Sequence, residues 1–286
     1  MRQFGLLFLM AMMCCVGVTS AEPSSIPKGT FAEARPKRLL LLGQKPDSHP
    51  KATHEYMRAC QIVARLLQDR GNLQVVVVQA DSPWTEGPQL LDGADGVFLF
   101  LSQGAKWINA DSERLSAFKR LADRGGGLAC LHWAMGTKDA EDIPNFIELF
   151  GGCHGGPDRK YKYGDFRIAP TPVKHEITSG VTPIEVHDEF YYDLKFPTSK
   201  EGQTFLVQAR IEEKDFPVAW AWERKNSGRS FGFSGLHFHE NWKRIEYRRI
   251  VIQGILWTLH ESIPATGLAL EVTDSDLALP EDGSPR

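Results

Sequence analysis

Cysteine is scarce and unpatterned in this 286-residue chain. Of five, Cys14 and Cys15 lie in the first apolar stretch, which leaves Cys60, Cys130 and Cys153. An odd, sparse set with no C-x-x-C argues against a disulfide framework and excludes a zinc ribbon or dithiol redox motif; a single pair stays open, and spacing does not choose its members. An excess of charge of one sign is missing too. The net charge is -3, so no nucleic-acid partner is expected. There is no H-E-x-x-H helix, and the glycine-rich run Gly151 to Asp158 has neither Walker A nor G-x-G-x-x-G spacing. No internal repeat or low-complexity block appears. What remains, at 42% hydrophobic and 24% charged residues, is an ordinary globular composition.

The first residues form a separate segment. Arg2 is followed by an apolar run from Phe4 to Val18, short for a membrane span, and then by small residues in Thr19-Ser20-Ala21. This pattern predicts a signal peptide over 1–21, cleaved after Ala21, and a secreted or periplasmic protein with no transmembrane anchor after cleavage. An uncleaved anchor is the alternative. Bulky Met12 and Met13 before Cys14 and Cys15 do not suit lipoprotein processing. Residues 22–36, rich in Pro, Ser and small side chains, read as a linker.

From Lys37 the chain alternates. Arg38 to Gly43, Leu73 to Ala80, Gly96 to Leu101 and Leu128 to Leu131 are short apolar runs, the composition of strands buried on both faces. Helical periodicity separates them: Tyr56, Cys60, Val63 and Leu67 after Thr53, and Leu115, Phe118 and Leu121 within Asn109 to Arg124. This is the pattern of an α/β fold, a doubly wound and mostly parallel sheet. Trp84 to Leu91 reads as a connection. The C-terminal half adds β-rich segments (Gly164–Ile168, Val186–Leu194, Thr204–Arg210, Val218–Trp222, Arg229–Phe233), the last two joined by a turn at Asn226-Ser227-Gly228. A final helix spans Arg244 to Leu259, with Ile245, Ile252, Ile255, Leu256 and Leu259 inward. The acidic tail from 265 to 286 is expected to be loosely attached.

In open α/β sheets ligands collect at the carboxyl ends of the strands. Gly125-Gly126-Gly127-Leu128-Ala129-Cys130-Leu131-His132-Trp133 places His132 at such an end. His237 and His239 follow the last strand in an H-x-H pattern that, in extended chain, points both rings to one side. Glu189 adds a hard oxygen ligand or an acid/base group. We therefore take His132, Glu189 and His237 as candidate catalytic residues. The same three with His239 form a candidate ligand set for a divalent metal such as zinc. Trp107, Trp133, His154, Tyr191 and Trp242 are candidate substrate contacts, aromatic faces being suited to sugar C–H surfaces. Competing readings stay open: the histidines as backbone-bonded loop residues, and the aromatics as core plugs. Cys130, two residues before the strand end, is placed on a buried sheet face rather than at an exposed elbow, which disfavours a thiol nucleophile.

These residues carry a family resemblance. Gly125-Gly126-Gly127-Leu128 with Leu131-His132-Trp133-Ala134, Leu149-Phe150-Gly151-Gly152 with His154, and His175-Glu176-Ile177-Thr178-Ser179-Gly180 occur in order. Asp188-Glu189-Phe190-Tyr191, Pro217-Val218-Ala219-Trp220, Gly228-Arg229 with Gly235-Leu236-His237, and Gly254-Ile255-Leu256-Trp257 complete the series over roughly 37–264. The chain resembles the ThuA-like (trehalose utilisation) family, whose fold is similar to that of class I glutamine amidotransferases and flavodoxin. Glu176 replaces the family's usual Pro. The resemblance implies histidine, here His132, where amidotransferases carry their cysteine, and hence no amidotransferase activity. It implies a small-molecule sugar substrate: an exported domain acting on a carbohydrate or glycoside by keto-sugar or disaccharide hydrolysis, elimination or isomerisation. The alternative is a non-catalytic carbohydrate-binding or partner-docking domain.

Overall fold

Four consecutive leucines begin the fold. In β1 (Lys37–Gly43), Leu39 and Leu41 face one layer of side chains and Leu40 and Leu42 the other. A strand alternates faces, so a continuous apolar run belongs where both faces are covered. The computed structural model of the protein describes residue 1 and residues 35–280. The expected signal peptide and nearly all of the linker lie outside the described residues, so export is not read from the structure. Among the described residues no helix is long and apolar enough to cross a membrane.

The chain continues through α1 (Tyr56–Leu67), β2 (Leu73–Gln79), α2 (Gly87–Asp92), β3 (Gly96–Phe100), α3 (Gly104–Asn109), α4 (Ser112–Asp123) and β4 (Gly127–Leu131). Then come β5 (Gly136–Thr137), α5 (Ile143–Phe150), β6 (His154–Gly155), β7 (Lys160–Pro170), β8 (Ile184–Tyr192), β9 (Gln203–Ile211), β10 (Lys214–Glu223), β11 (Arg229–Phe233), α6 (Ile245–Thr258) and α7 (Asp274–Leu277). Nine strands form one sheet in the order β2-β1-β3-β4-β11-β10-β9-β7-β8. The first five are parallel, and the pairs from β11 onward are antiparallel. This is the expected α/β sheet with a β-rich addition. Helices α1 and α6 cover one face and α2 to α5 the other.

Two local differences have physical causes. The stretch expected as a connection holds α2, started by Pro88 in its first turn, where a missing N–H costs nothing. The helix expected over Asn109 to Arg124 is α4 and starts three residues later: the separate helix α3 ends at Asn109, and Asp111 caps α4 by accepting the Arg114 N–H at 2.8 Å. At the end of α4, Gly125 takes φ +82°, and the Gly126 N–H returns to the Leu121 carbonyl, which aims the chain into β4.

The expectation of a loosely attached tail is corrected for its described part. The Arg248 and Arg249 guanidiniums donate to the carbonyls of Leu270 and Leu268, Gln253 accepts the Leu268 N–H, and Leu270 is buried. This segment covers the outer side of α6. It explains why α6 is buried almost all round, and not only along the stripe the sequence predicts.

Candidate functional site

β4 ends in strain. Leu131 is extended (φ -126°), and the next residue, His132, turns to φ +48°, a left-handed conformation that costs a non-glycine residue about 1–3 kcal/mol. The elbow points the fully buried His132 ring out of the strand end. There its Nδ1 lies 2.7 Å from the Ser234 carbonyl at the end of β11. A carbonyl only accepts, so Nδ1 carries the proton and Nε2 presents a lone pair.

Two further rings meet that lone pair. Residues 52–54 and 237–239 run as a short antiparallel pair, with the His54 N–H on the His237 carbonyl and the His239 N–H on the Ala52 carbonyl. This ladder sets His54 beside His237. His54 Nε2 lies 3.1 Å from His132 Nε2 and 3.0 Å from His237 Nδ1, and the His132–His237 pair is separated by 3.2 Å. The Tyr56 hydroxyl donates to Asp47 Oδ2 at 2.6 Å, so the proton on His54 Nδ1 is directed at these two oxygens, 3.0 and 3.4 Å away. His54 Nε2 is then bare as well. Burial is the largest cause holding all three imidazoles below their ordinary pKa, His237 down to about 3. Mutual repulsion adds to it.

Three neutral ring nitrogens facing one another fit a cation. Metal–nitrogen bonds of 2.0–2.1 Å give ligand separations of about 2.9–3.0 Å at right angles and about 3.4 Å at the tetrahedral angle. The observed 3.0–3.2 Å falls between. The Tyr191 hydroxyl, 3.0 Å from His132 Nε2, can donate to that nitrogen but leaves the His54 Nε2 lone pair facing it at 3.1 Å, whereas a cation satisfies all three nitrogens together and assigns His54, His132 and His237 as ligands. Asp47 behind His54 is the carboxylate that commonly orients a metal-binding imidazole.

Glu189 projects toward the same place, its Oε1 3.7 Å from His132 Nε2 and 3.8 Å from His237 Nδ1. Burial and the neighbouring Asp188 raise its carboxyl to about 7, against an opposing hydrogen bond with Tyr191. Asp188 itself is wholly buried and accepts the N–H groups of Leu236 and His237 at 2.8 and 3.0 Å and the Tyr247 hydroxyl at 2.7 Å. It holds the loop that carries His237. A cavity of about 340 Å³ opens on this cluster, within the size range of small-molecule sites.

The structure thus brings together His132, His237, Glu189, Trp133, His154 and Tyr191. It does not bring three other candidates. His239 begins a 3-10 turn (His239–Lys243), which ends the extended run, and its Nε2 donates to the Leu277 carbonyl at 3.0 Å. Trp107 packs against Trp84 with Arg114 over its ring, and Trp242 is a core residue beside α6. Tyr191 is in the site in another capacity than a sugar platform. One face lies on His132 (centroids 4.4 Å) and the other on His154 (3.9 Å), so only its hydroxyl edge enters the site, where the oxygen lies 3.0 Å from His132 Nε2. The face available to a sugar is that of Tyr161, 59% exposed at the cavity rim.

Sequence reasoning missed His54, Asp47 and Tyr161. The signal was topological: Asp47, His49 and His54 follow β1, which ends on the same edge as β4 and β11. Cys60, Cys130 and Cys153 are free and buried, and burial pushes the thiols of Cys60 and Cys130 up, which leaves no exposed nucleophile.

A family model described as ThuA, trehalose utilisation, matches residues 47–258. No curated protein matches the sequence. Among solved structures, a ThuA-like protein from Bacteroides uniformis ATCC 8492 aligns with TM-score 0.58 and 14% identity over 82% of this chain and 95% of its own. A cytoplasmic protein from Salmonella typhimurium LT2 aligns with TM-score 0.53 and 15% identity over 78% of this chain and 99% of its own. The glutaminase domain of Trypanosoma brucei CTPS, with bound acivicin, aligns at TM-score 0.43 and 12% identity over 81% and 98%.

Proposed function

Since the chain belongs to the ThuA, trehalose-utilisation, family, with the carbohydrate-related role that this carries, we propose that it is an exported, metal-assisted enzyme acting on a carbohydrate or glycoside. The observation that supports this reading most directly is the triangle of ring nitrogens at 3.0–3.2 Å beside Glu189. His54, His132 and His237 hold a divalent cation such as zinc. When bound, that ion supplies Lewis-acid polarisation of a sugar oxygen.

The protein's own groups do the rest. Ser234 and Asp47 fix the His132 and His54 rings so that their Nε2 atoms meet beside Glu189. Glu189, with a pKa of about 7, is present in both protonation states near neutrality, so it can take a proton from a sugar C–H or O–H and return it. Keto-sugar or disaccharide hydrolysis, elimination and isomerisation all require that transfer. Tyr191 steadies the carboxyl, and the Tyr161 ring offers a stacking face. Amidotransferase chemistry is outside this reading, because the elbow carries His132 and Cys130 is buried. Export rests on the leader pattern of 1–21.

The test is metal analysis of full-length protein prepared without chelator, together with turnover of a panel of disaccharides and keto-sugars. About one equivalent of divalent metal is expected per chain, lost with turnover in the His132→Ala/His237→Ala double variant. Wild-type protein free of metal, with turnover indifferent to the double substitution, would end the enzymatic reading.

A further inference from the structure

The cavity also holds charge that proton transfer does not use. Lys138, directly after β5, and Arg159, directly before β7, both line it. Nearby cations are neutralised: Lys106 by Asp139 at 2.8 Å, Lys160 by Asp193 at 2.8 Å, and Lys195 by Asp158 at 2.7 Å. Lys138 and Arg159 have no acidic partner among the described residues. The Arg159 guanidinium makes one hydrogen bond, from Nη1 to the Gly156 carbonyl at 3.2 Å, which leaves most of its donor fork unused.

Nothing else in the cavity balances them. Glu189 is the only carboxylate among its lining residues. The three candidate metal ligands are neutral imidazoles, so a divalent ion on them keeps its full charge, unlike one bound by carboxylates. The field reaches inward as well: after burial, Arg159 is the next cause of the low pKa, about 3, of His154. A half-buried guanidinium and an ammonium, both without an acidic partner and lining one small-molecule cavity, supply the charge and donors that carboxylate or phosphate recognition uses.

We propose that the site selects a sugar bearing an anionic substituent, a carboxylate or a phosphate, gripped by Arg159 and Lys138 while the reacting carbon lies toward Glu189 and the histidines. The inference deepens, and rests on, the sugar-processing reading above. It explains why a protein of net charge -3 leaves two cations uncompensated at this cavity.

Titration calorimetry on the full chain, in metal-bearing and chelator-treated forms, tests it with D-glucuronate, glucose 6-phosphate and D-glucose as probes. At least one of the two acids should bind about tenfold or more tightly than glucose, the scale of one charge-assisted hydrogen bond. Added salt should narrow the gap. The acid that is preferred identifies the substituent as carboxylate or phosphate. Arg159→Gln with Lys138→Gln should abolish the preference, and Arg159→Lys should keep part of it. Equal binding of all three probes, binding of none, or a preference that survives the double substitution overturns the proposal. Metal content, read on the same samples, reports separately on the histidine centre.

Discussion

The two faces of β8 carry adjacent carboxylates with opposite circumstances. Asp188 shares its face with Val186 and Phe190, all three buried in the core. Glu189 shares the other with Tyr191, at the cavity. Burial raises both pKa values, to about 6 and about 7. The difference lies in what opposes burial. Asp188 accepts backbone N–H groups and the Tyr247 hydroxyl until its oxygens are fully engaged. Glu189 has a hydrogen bond to Tyr191 and stands 3.7–3.8 Å from two imidazoles, with capacity left to exchange a proton. A carboxylate on one strand is spent on structure or kept available for chemistry according to the parity of its position.

The largest effect that tests this contrast belongs to Asp188. Asp188→Ala strips the acceptor from the Leu236, His237 and Phe238 N–H groups and from Tyr247 together. Leaving that many buried donors unpaired is expected to cost about 3–5 kcal/mol of stability in urea unfolding. Glu189→Gln should change stability by less than about 1 kcal/mol and retain metal, while lowering turnover about 100-fold or more, the usual scale for a lost acid/base group. If Glu189→Gln unfolds like Asp188→Ala, or turns over normally, the two faces do not differ as argued.

A smaller effect concerns acid. His154 is buried against Tyr191 and its pKa falls from the ordinary 6.5 to about 3, with burial the main cause. Between these values the unfolded chain binds the proton and the folded one does not, so stability is fully present above pH 6.5 and is lost as pH falls toward 3. At about 1.4 kcal/mol per pH unit, this single group removes roughly 2 kcal/mol between pH 7 and 5. His154→Gln should lose correspondingly less over that range in denaturant melts. An unchanged pH slope would show that His154 is not shielded as the fold requires.

Much of this is legible in the sequence. The β1, β3 and β4 runs were readable because both faces are covered, and His132 at a strand end because the glycines and the elbow precede it. Even the parity of Asp188 and Glu189 was readable from Val186 and Phe190. His54 was not. It sits just ahead of α1 and enters the site only through the 52–54 and 237–239 pairing, a contact across more than 180 residues that no local period records. The docking of residues 268–270 on α6 was hidden for a similar reason: it depends on Arg248, Arg249 and Gln253, whose partners are backbone carbonyls and an N–H. Trp107 and Trp242 misled because an aromatic near a strand end serves a core as readily as a ligand.

The contrast on β8 recurs two residues apart in the H-x-H pair, with the smallest expected effect. An extended chain would point both rings to one side, but the chain leaves that conformation at His239. His237 keeps Nδ1 in the triangle, whereas His239 donates Nε2–H to the Leu277 carbonyl and so tethers α7. Its Nδ1 has no hydrogen-bond partner. His239→Ala should therefore cost about 1 kcal/mol, the worth of one hydrogen bond, with metal stoichiometry unchanged. His237→Ala should remove the metal, because two imidazoles remain of three. Parallel metal analyses and thermal melts of the two variants separate ligand from tether. Loss of metal in His239→Ala would return the pair to the single-sided arrangement that spacing alone suggests.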